Sequence, residues 1–307
     1  MNISVVILNY INWEETLYCI DSLQSEIHLI KHIIVVDNYS ENNSLEKINL
    51  ALKERNLKSE VVRSIEEQTD KTYILFQNCE NGGYAKGNNI GIKLATSQGA
   101  GYILILNNDV RVTPNAITEM INCLSQSEKI GCVGPVVQED GHYDLNFARC
   151  RLKWYDHFLL SSVGRTLIPM KFPLKHHFIA LRKMGEKPFR VDMISGACML
   201  FRASAINMIG AFDENTFLYY EEAILSEKLR RQGLLTYVVP SGLVIHKHAA
   251  IIKRLPEANI LRYGLKSQYY YLIRYRNHSR IVAHMIMSGD YLTYLIVSLG
   301  NIFSSES

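Results

Sequence analysis

The chain has 307 residues, 48% of them hydrophobic and 21% charged, which is enough apolar material for a sizeable core and excludes a disordered chain. A net charge of +3 is too small to argue for a nucleic-acid partner. Six cysteines stand singly, with no C-x-x-C pair and no metal spacing. They predict reduced, mostly buried thiols of a cytoplasmic protein rather than a disulfide framework or a zinc site.

The opening MNISVVILNY lacks a basic n-region, so no secretory signal is expected there. Ile3–Leu8 reads as a buried strand ending at Asn9-Tyr10, and Trp13, Leu17, Ile20 and Leu23 carry helical spacing. A second strand, Ile33–Val36, ends at Asp37-Asn38, and Ser44 opens a helix to about Leu52. Val61–Ile65 and Tyr73–Phe76 are strand-like. A glycine-rich stretch, Asn81–Ile92 (NGGYAKGNNIGI), leads a helix to about Ser97. Tyr102–Leu106 is a strand apolar on both faces that stops abruptly at Asn107-Asn108-Asp109. Thr113-Pro114 opens a further helix through Leu124, and Gly131–Val137 is a strand. This alternation predicts a mostly parallel sheet with right-handed crossovers.

From Gln138 to Pro188 the pattern breaks, and an insertion of loops and short elements over the sheet is expected. Regularity returns in a strand over Phe189–Phe201 with a kink at Gly196, then a short helix over Ser204–Ile209. The helix over Tyr220–Gln232 is closed by Gly233. Thr236–Val239 and Leu243–Ile245 are short strands, the second ending at His246. Asp37, Asn107, Asp109 and His246 thus all follow apolar runs. In a parallel sheet such endings gather at the carboxyl edge, where open α/β folds bind ligands. Asp109 suits a hard divalent cation, Mg²⁺ or Mn²⁺, which takes one or two carboxylates and fills its shell from phosphates and water. His246 is either a further ligand or an ordinary strand-end histidine.

Six pieces in order carry a resemblance: SVVILNY (Ser4–Tyr10), VVDNYS (Val35–Ser40), NGGYAKGNNIGI (Asn81–Ile92), ILNNDV (Ile105–Val110), ISGACMLFR (Ile194–Arg202) and GAFDENTFLYYEE (Gly210–Glu222). Together they resemble the family 2 glycosyltransferases of GT-A fold, in the style of rhamnosyltransferases of bacterial surface polysaccharide synthesis. The resemblance implies an α/β fold with a mostly parallel, Rossmann-like sheet flanked by helices. It implies a catalytic domain over 1–250, with 138–188 a variable acceptor-side insertion, and a C-terminal helical extension over 251–307. It implies inverting, metal-dependent transfer of a sugar from a nucleotide-diphosphate donor, dTDP-rhamnose as a first guess, to a hydroxyl of a glycan or lipid-linked glycan. A UDP-hexose-dependent enzyme or an inactive sugar-nucleotide-binding protein of the same fold are the alternatives.

Roles follow from the same resemblance. Asp37 reads the nucleobase and Asn9-Tyr10 pack on it. Gly83, Lys86 and Asn89 face the donor, as do Asn107 and Asn108, while Asp109 holds the cation on the diphosphate. Glu222 is the base, with Glu221 in support. Asp192, Gly196 and Ala197 face the sugar or acceptor, and Asp213 is structural. Where the family often carries a further Asp, this chain has Ile224. A nucleotidyltransferase would want a basic glycine-rich loop after the first strand, and Asn9–Glu14 has no Lys or Arg.

Between His246 and Arg280 stand eight Lys/Arg and a single acid, Glu257. Ile281–Met287 and Tyr291–Phe303 are apolar runs separated by Ser288-Gly289-Asp290, each too short to span a bilayer. A basic, aromatic helix followed by short apolar helices predicts peripheral contact at the inner face of the cell membrane, or a helical cap on the catalytic domain.

Overall fold

The computed structural model describes residues 2–144, 147–151, 185, 187–247 and 257–304. Most of the expected insertion and the basic segment 248–256 lie outside the described residues.

The strands are β1 (Ile3–Asn9), β2 (Ile30–Asp37), β3 (Ser59–Val61), β4 (Tyr73–Gln77), β5 (Tyr102–Asn107), β6 (Val110–Val112), β7 (Ile130–Glu139), β8 (His142–Tyr143), β9 (Ala148–Arg149), β10 (Phe189–Val191), β11 (Met193–Ile194), β12 (Cys198–Arg202) and β13 (Leu235–His246). The helices are α1 (Trp13–Ser22), α2 (Ser44–Glu54), α3 (Gly83–Ser97), α4 (Ala116–Ser125), α5 (Ala203–Met208), α6 (Glu221–Arg231), α7 (Glu257–Arg274) and α8 (Arg280–Ser304). The main sheet runs β10-β13-β7-β12-β5-β1-β2-β4-β3. The pairs β5-β1, β1-β2, β2-β4, β4-β3 and β7-β13 are parallel, while β12 lies antiparallel between β5 and β7. Strands β1, β2 and β5 are apolar on both faces because helices cover both sides.

The glycines of the NGGYAKGNNIGI stretch have a packing reason. A Cβ on Gly87 would stand 2.4 Å from Leu8, and one on Gly91 would stand 2.2 Å from Val6. Glycine at these two turns lets α3 lie directly on β1.

Three elements differ from the sequence reading. The strand expected over Phe189–Phe201 is three strands with different partners: β10 pairs β13, β11 pairs β9, and β12 pairs β5 and β7. Asp192 makes the first break, its carbonyl bonded by Ser226 Oγ and its carboxylate by the Arg151 amide. The two strands expected over Thr236–Ile245 are one, because Pro240-Ser241-Gly242 is absorbed as a register shift between Val239 and Leu243. A bulge is where a strand tolerates a residue without an N–H. The two apolar runs of the tail form the single helix α8. Ser288 and Thr293 return their hydroxyls to the carbonyls of Met285 and Gly289, and one interior glycine costs a helix only about 1 kcal/mol. By length and composition alone, Arg280–Ser298 is now long and apolar enough to cross a membrane.

A second apolar cluster joins the tail to the sheet domain. Ile224 of α6 packs with Tyr271 and Leu272 of α7 and with Ala283, Ile286 and Met287 of α8. Asp213 accepts hydrogen bonds from Tyr270 and Tyr275 at 2.9 and 2.5 Å, Ser267 donates to the Leu218 carbonyl, and Tyr263 stacks on Phe217. The helical cap is therefore anchored to the 212–218 loop and to α6.

Candidate active site

The ends of β1, β2 and β4 are tied together by side chains. Asp37 is fully buried, and its two oxygens accept four hydrogen bonds: from Asn9 Nδ2 at 2.5 Å, Ser40 Oγ at 2.6 Å, the Ser40 amide at 2.9 Å and Gln77 Nε2 at 2.6 Å. Asn9 in turn accepts from Thr16 at 2.8 Å. Asn108, 6% exposed, points its amide back into this group, at 3.2 Å from both Thr16 Oγ1 and the Asn12 carbonyl. A nucleobase would reach Asp37 only by displacing one of its donors, and Asn108 is turned away from the sheet edge. Tyr10, half-buried, follows this network directly. Ile11 and Tyr39 hold φ of 64°; a β-branched residue there is an outlier that its surroundings must enforce. The Ile11 amide donates to Ser40 Oγ at 2.7 Å, and Asn42 bonds its carbonyl at 2.6 Å.

The start of α3 faces the 212–218 loop. Gly83 has φ of +80°, and a Cβ there would lie 2.4 Å from the Phe217 carbonyl. Asn89 is 5% exposed and spends its side chain on the Phe212 backbone, in both directions at 3.0 Å, and on Glu214. Lys86 pairs with Glu80 at the surface. The structure thus uses Gly83 and Asn89 to hold that loop.

The other strand ends are differently furnished. Antiparallel pairing of β6 with β13 sets Val110 beside His246, which brings Asp109 next to a residue 137 positions away. His246 Nε2 lies 3.1 Å from Asp109 Oδ1, and its Nδ1 lies 3.0 Å from Glu139 Oε1 at the end of β7. Burial alone would lower the histidine's pKa, but the hydrogen bonds and charges of Asp109 and Glu139 outweigh it and raise the value. Asp109 is 4% exposed, and what faces its Oδ1 is the His246 ring nitrogen. A buried carboxylate beside an imidazole offers the oxygen and nitrogen donors that a divalent cation takes from a protein. Among the described residues no three His, Cys, Asp or Glu side chains form a ready-made cage. The donor set here therefore fits a cation that draws the rest of its shell from phosphate and water.

Next to Asn107 stands the third group. The Asn107 amide donates to the Ala197 carbonyl at 3.0 Å, so the turn before β12 lies against the end of β5. Glu222 Oε1 accepts the Gly196 N–H at 3.1 Å, and Tyr84 Oη donates to the Gly196 carbonyl at 2.8 Å. A Cβ on Gly196 would stand 2.8 Å from Glu222 Oε1, so only glycine admits the carboxylate this closely. Arg149 Nη2 lies 3.9 Å from Glu222 Oε2. Glu221 is buried; desolvation, then the neighbouring charge of Glu222, pushes its pKa up to about 8. Both tyrosines before this pair are left-handed, with φ of 69° at Tyr219 and 68° at Tyr220. Two such residues in succession store about 1–3 kcal/mol each and persist where packing over-determines them. Here Tyr220 packs on Tyr271 of α7. Asp192 stands between β10 and β11, bonded to Arg151 and Ser226, with no contact to Glu222 or Asp109 among those described.

Residues 4–210 match the model of the glycosyl transferase family 2. The chain belongs to that family. Among curated proteins it is 28% identical, over 173 residues, to the N-acetylglucosaminyl-diphospho-decaprenol L-rhamnosyltransferase of Mycobacterium tuberculosis, covering 56% of this chain and 54% of that one. It is 21% identical to a dTDP-rhamnosyl transferase of Shigella flexneri, covering 72% of this chain and 70% of the other. The match to the mycobacterial enzyme thus spans about half of that protein's length. Among solved structures it resembles a mannosyltransferase of Pyrobaculum calidifontis in complex with GDP-Man and Mn²⁺, at a TM-score of 0.58 and 10% identity, covering 99% of this chain and 75% of that one. That likeness shows the GT-A fold.

Within this family 2 chain the structure brings Asn107, Asp109, Gly196, Ala197, Glu222 and His246 to one sheet edge. Sequence reasoning passed over Tyr84, Glu139 and Arg149. Tyr84 lay in plain view inside a stretch read for its glycines. Glu139, the last residue of β7, and Arg149 of β9 both fall within Gln138–Pro188, where no sequence repeat marks a side chain's direction.

Proposed function

We propose that the protein is an inverting, divalent-cation-dependent glycosyltransferase that moves a sugar from a nucleotide-diphosphate donor to a hydroxyl of a lipid-linked glycan. The observation that carries this reading is Glu222, a carboxylate held by the Gly196 N–H beside the Ala197–Asn107 contact, on the sheet edge that also carries the buried Asp109–His246 pair. Glu222 takes the proton of the acceptor hydroxyl as that oxygen attacks the anomeric carbon, and the bond to the diphosphate breaks on the opposite face. Gly196 and Ala197 shape the acceptor side, and Asn107 faces the sugar. Asp109, with His246 once it has released its proton, would hold Mg²⁺ or Mn²⁺, which would neutralise charge on the departing diphosphate. The two rhamnosyltransferase relatives support dTDP-rhamnose as the first donor to test and a diphospholipid-borne glycan as acceptor, in cell-surface polysaccharide synthesis.

The tail supports contact with the inner face of the cell membrane. Helix α8 leaves Ile281, Met285, Leu292, Leu295 and Ile296 between 48% and 75% exposed, a stripe at helical spacing opposite the face packed on α6 and α7. Exposed Arg262, Lys266 and Arg274 of α7 and Arg280 stand nearby in sequence. This pattern suits a helix lying in an anionic membrane interface. The test is a panel of sugar nucleotides with a diphospholipid acceptor, in Mg²⁺, Mn²⁺ or chelator, read by product mass and anomeric configuration. Transfer with inversion that stops in chelator is expected. Retained configuration, or full turnover in chelator, overturns the corresponding part. Met285→Glu with Ile296→Glu should abolish binding to anionic vesicles while leaving the fold intact, and unchanged binding would reject the membrane reading.

A further inference from the structure

Arg149 has no role in the reading above, and its setting asks for one. It ends the two-residue strand β9, whose partner β11 leads into the Gly196 turn; Arg149 pairs with Met193 and Ala148 with Ile194. The guanidinium is therefore carried on the same short ladder that delivers the Gly196 N–H. Its Nη2 lies 3.9 Å from Glu222 Oε2, both side chains being about one-quarter exposed, and its buried Nε donates no hydrogen bond. A buried guanidinium nitrogen without a partner carries a desolvation cost.

Among the described residues the charges facing Glu222 are few. From its own helix comes Glu221, buried and acidic. From the preceding turn comes Tyr219, and from α3 the hydroxyl of Tyr84; burial first, then the charges of the two glutamates, raises the pKa of both. Two carboxyl groups this close resist ionising together. Among the described residues Arg149 is the cation paired with Glu222. The other Glu222 oxygen, Oε1, accepts the Gly196 N–H.

We propose that Arg149 is a positioning residue for the base: with the Gly196 N–H on one oxygen and the guanidinium beside the other, the Glu222 carboxylate is held and aimed at the acceptor. This rests on Glu222 being the base. The step it serves is balanced within the reaction. The acceptor O–H gives its proton to Glu222, the freed electron pair forms the bond to the anomeric carbon, and the electron pair of the departing bond leaves with the diphosphate. A charge within 4–6 Å lowers a carboxyl's pKa by about one to three pH units.

The experiment is the pH profile of kcat and kcat/KM for the wild type, Arg149→Gln and Arg149→Lys, with donor affinity measured by calorimetry. In Arg149→Gln the acid limb should move up by about one pH unit or more, turnover should recover on the alkaline side, and donor affinity should stay within about twofold. Arg149→Lys should restore most of the wild-type limb. An unmoved limb in Arg149→Gln overturns the proposal, and so does a pH-independent rise in KM, which would make Arg149 a substrate contact. If Arg149→Gln does not fold, the wild type still decides. Salt screens a partly exposed pair, so the acid limb should climb between low and high ionic strength, and a limb indifferent to salt overturns the proposal. Glu222→Gln is run alongside. If that variant keeps its turnover, the base assignment itself fails, whatever the Arg149 variants do.

Discussion

The two halves of the sheet's carboxyl edge contain similar residues and treat them oppositely. At the ends of β1, β2 and β4, every polar group of Asp37 and Asn9 is bonded to another protein group. At the end of β5 Asp109 faces only the titratable ring of His246, at the start of α6 Glu221 keeps a buried oxygen without a donor, and on β9 Arg149 keeps an unbonded nitrogen. Polar groups that satisfy one another rigidify a fold. Polar groups left short pay a desolvation cost that a ligand can recover. On the function proposed above, the first half holds the edge in shape and the second meets substrate.

The contrast is broken most directly at Glu222. General-base help is worth about 10²–10⁴ in rate, so Glu222→Gln should lose turnover by that factor. The amide keeps the volume, so donor affinity and melting temperature should stay near wild type. Asp109→Ala should likewise abolish cation-dependent turnover and weaken nucleotide binding without lowering stability. A large fall in melting temperature in either variant would place these residues with the scaffold, and full activity would remove them from the site.

Asp37 should behave in the reverse way. Asp37→Ala strips the acceptor from four donors in a fully buried place, at about 1–3 kcal/mol for each donor left unsatisfied in the interior. A stability loss of about 3–5 kcal/mol in denaturant unfolding is expected, the range seen when a buried polar network loses a member. A loss under about 1 kcal/mol would show that the network does not hold the edge, and would return Asp37 to direct contact with the nucleobase.

The scaffold half was the more legible in the sequence, for a physical reason. Buried strands such as Ile3–Leu8 and Tyr102–Leu106 announce themselves by runs of apolar residues, and the acids and amides that end them sit at fixed offsets. The neighbours of Asp109 were harder to see. His246 joins it only because β6 folds back on β13, a pairing between three residues and a strand more than a hundred positions on. Arg149 was invisible, since a two-residue strand has no period. The glycines of the NGGYAKGNNIGI stretch were legible as glycines but not as to cause. Gly87 and Gly91 answer to Leu8 and Val6 across the α3–β1 interface. The continuity of α8 was hidden by Ser288-Gly289-Asp290, which read as a break, but Ser288 returns its hydroxyl to the Met285 carbonyl and Asp290 accepts from Gln268 of α7.

The smallest effect, and the sharpest on the pair itself, is expected at Glu221. Its pKa rises from the ordinary 4.5 to about 8 because burial penalises the charged form and Glu222 adds repulsion. A carboxyl with a higher pKa folded than unfolded binds its proton more tightly in the native chain. Its contribution to stability is complete below about pH 4.5 and is lost as pH rises toward 8. Glu221→Gln supplies a neutral group of the same shape that does not titrate. Wild type and variant should therefore be closest in stability near pH 5, and the wild type should fall behind as pH rises, by at most about 1.4 kcal/mol per pH unit. The gap should level off above pH 8, and turnover at neutral pH should drop far less than in Glu222→Gln. A constant gap across this range would mean that Glu221 is ionised in the folded chain. The base would then be shared between the two carboxylates, and the larger loss of turnover could fall on Glu221 instead.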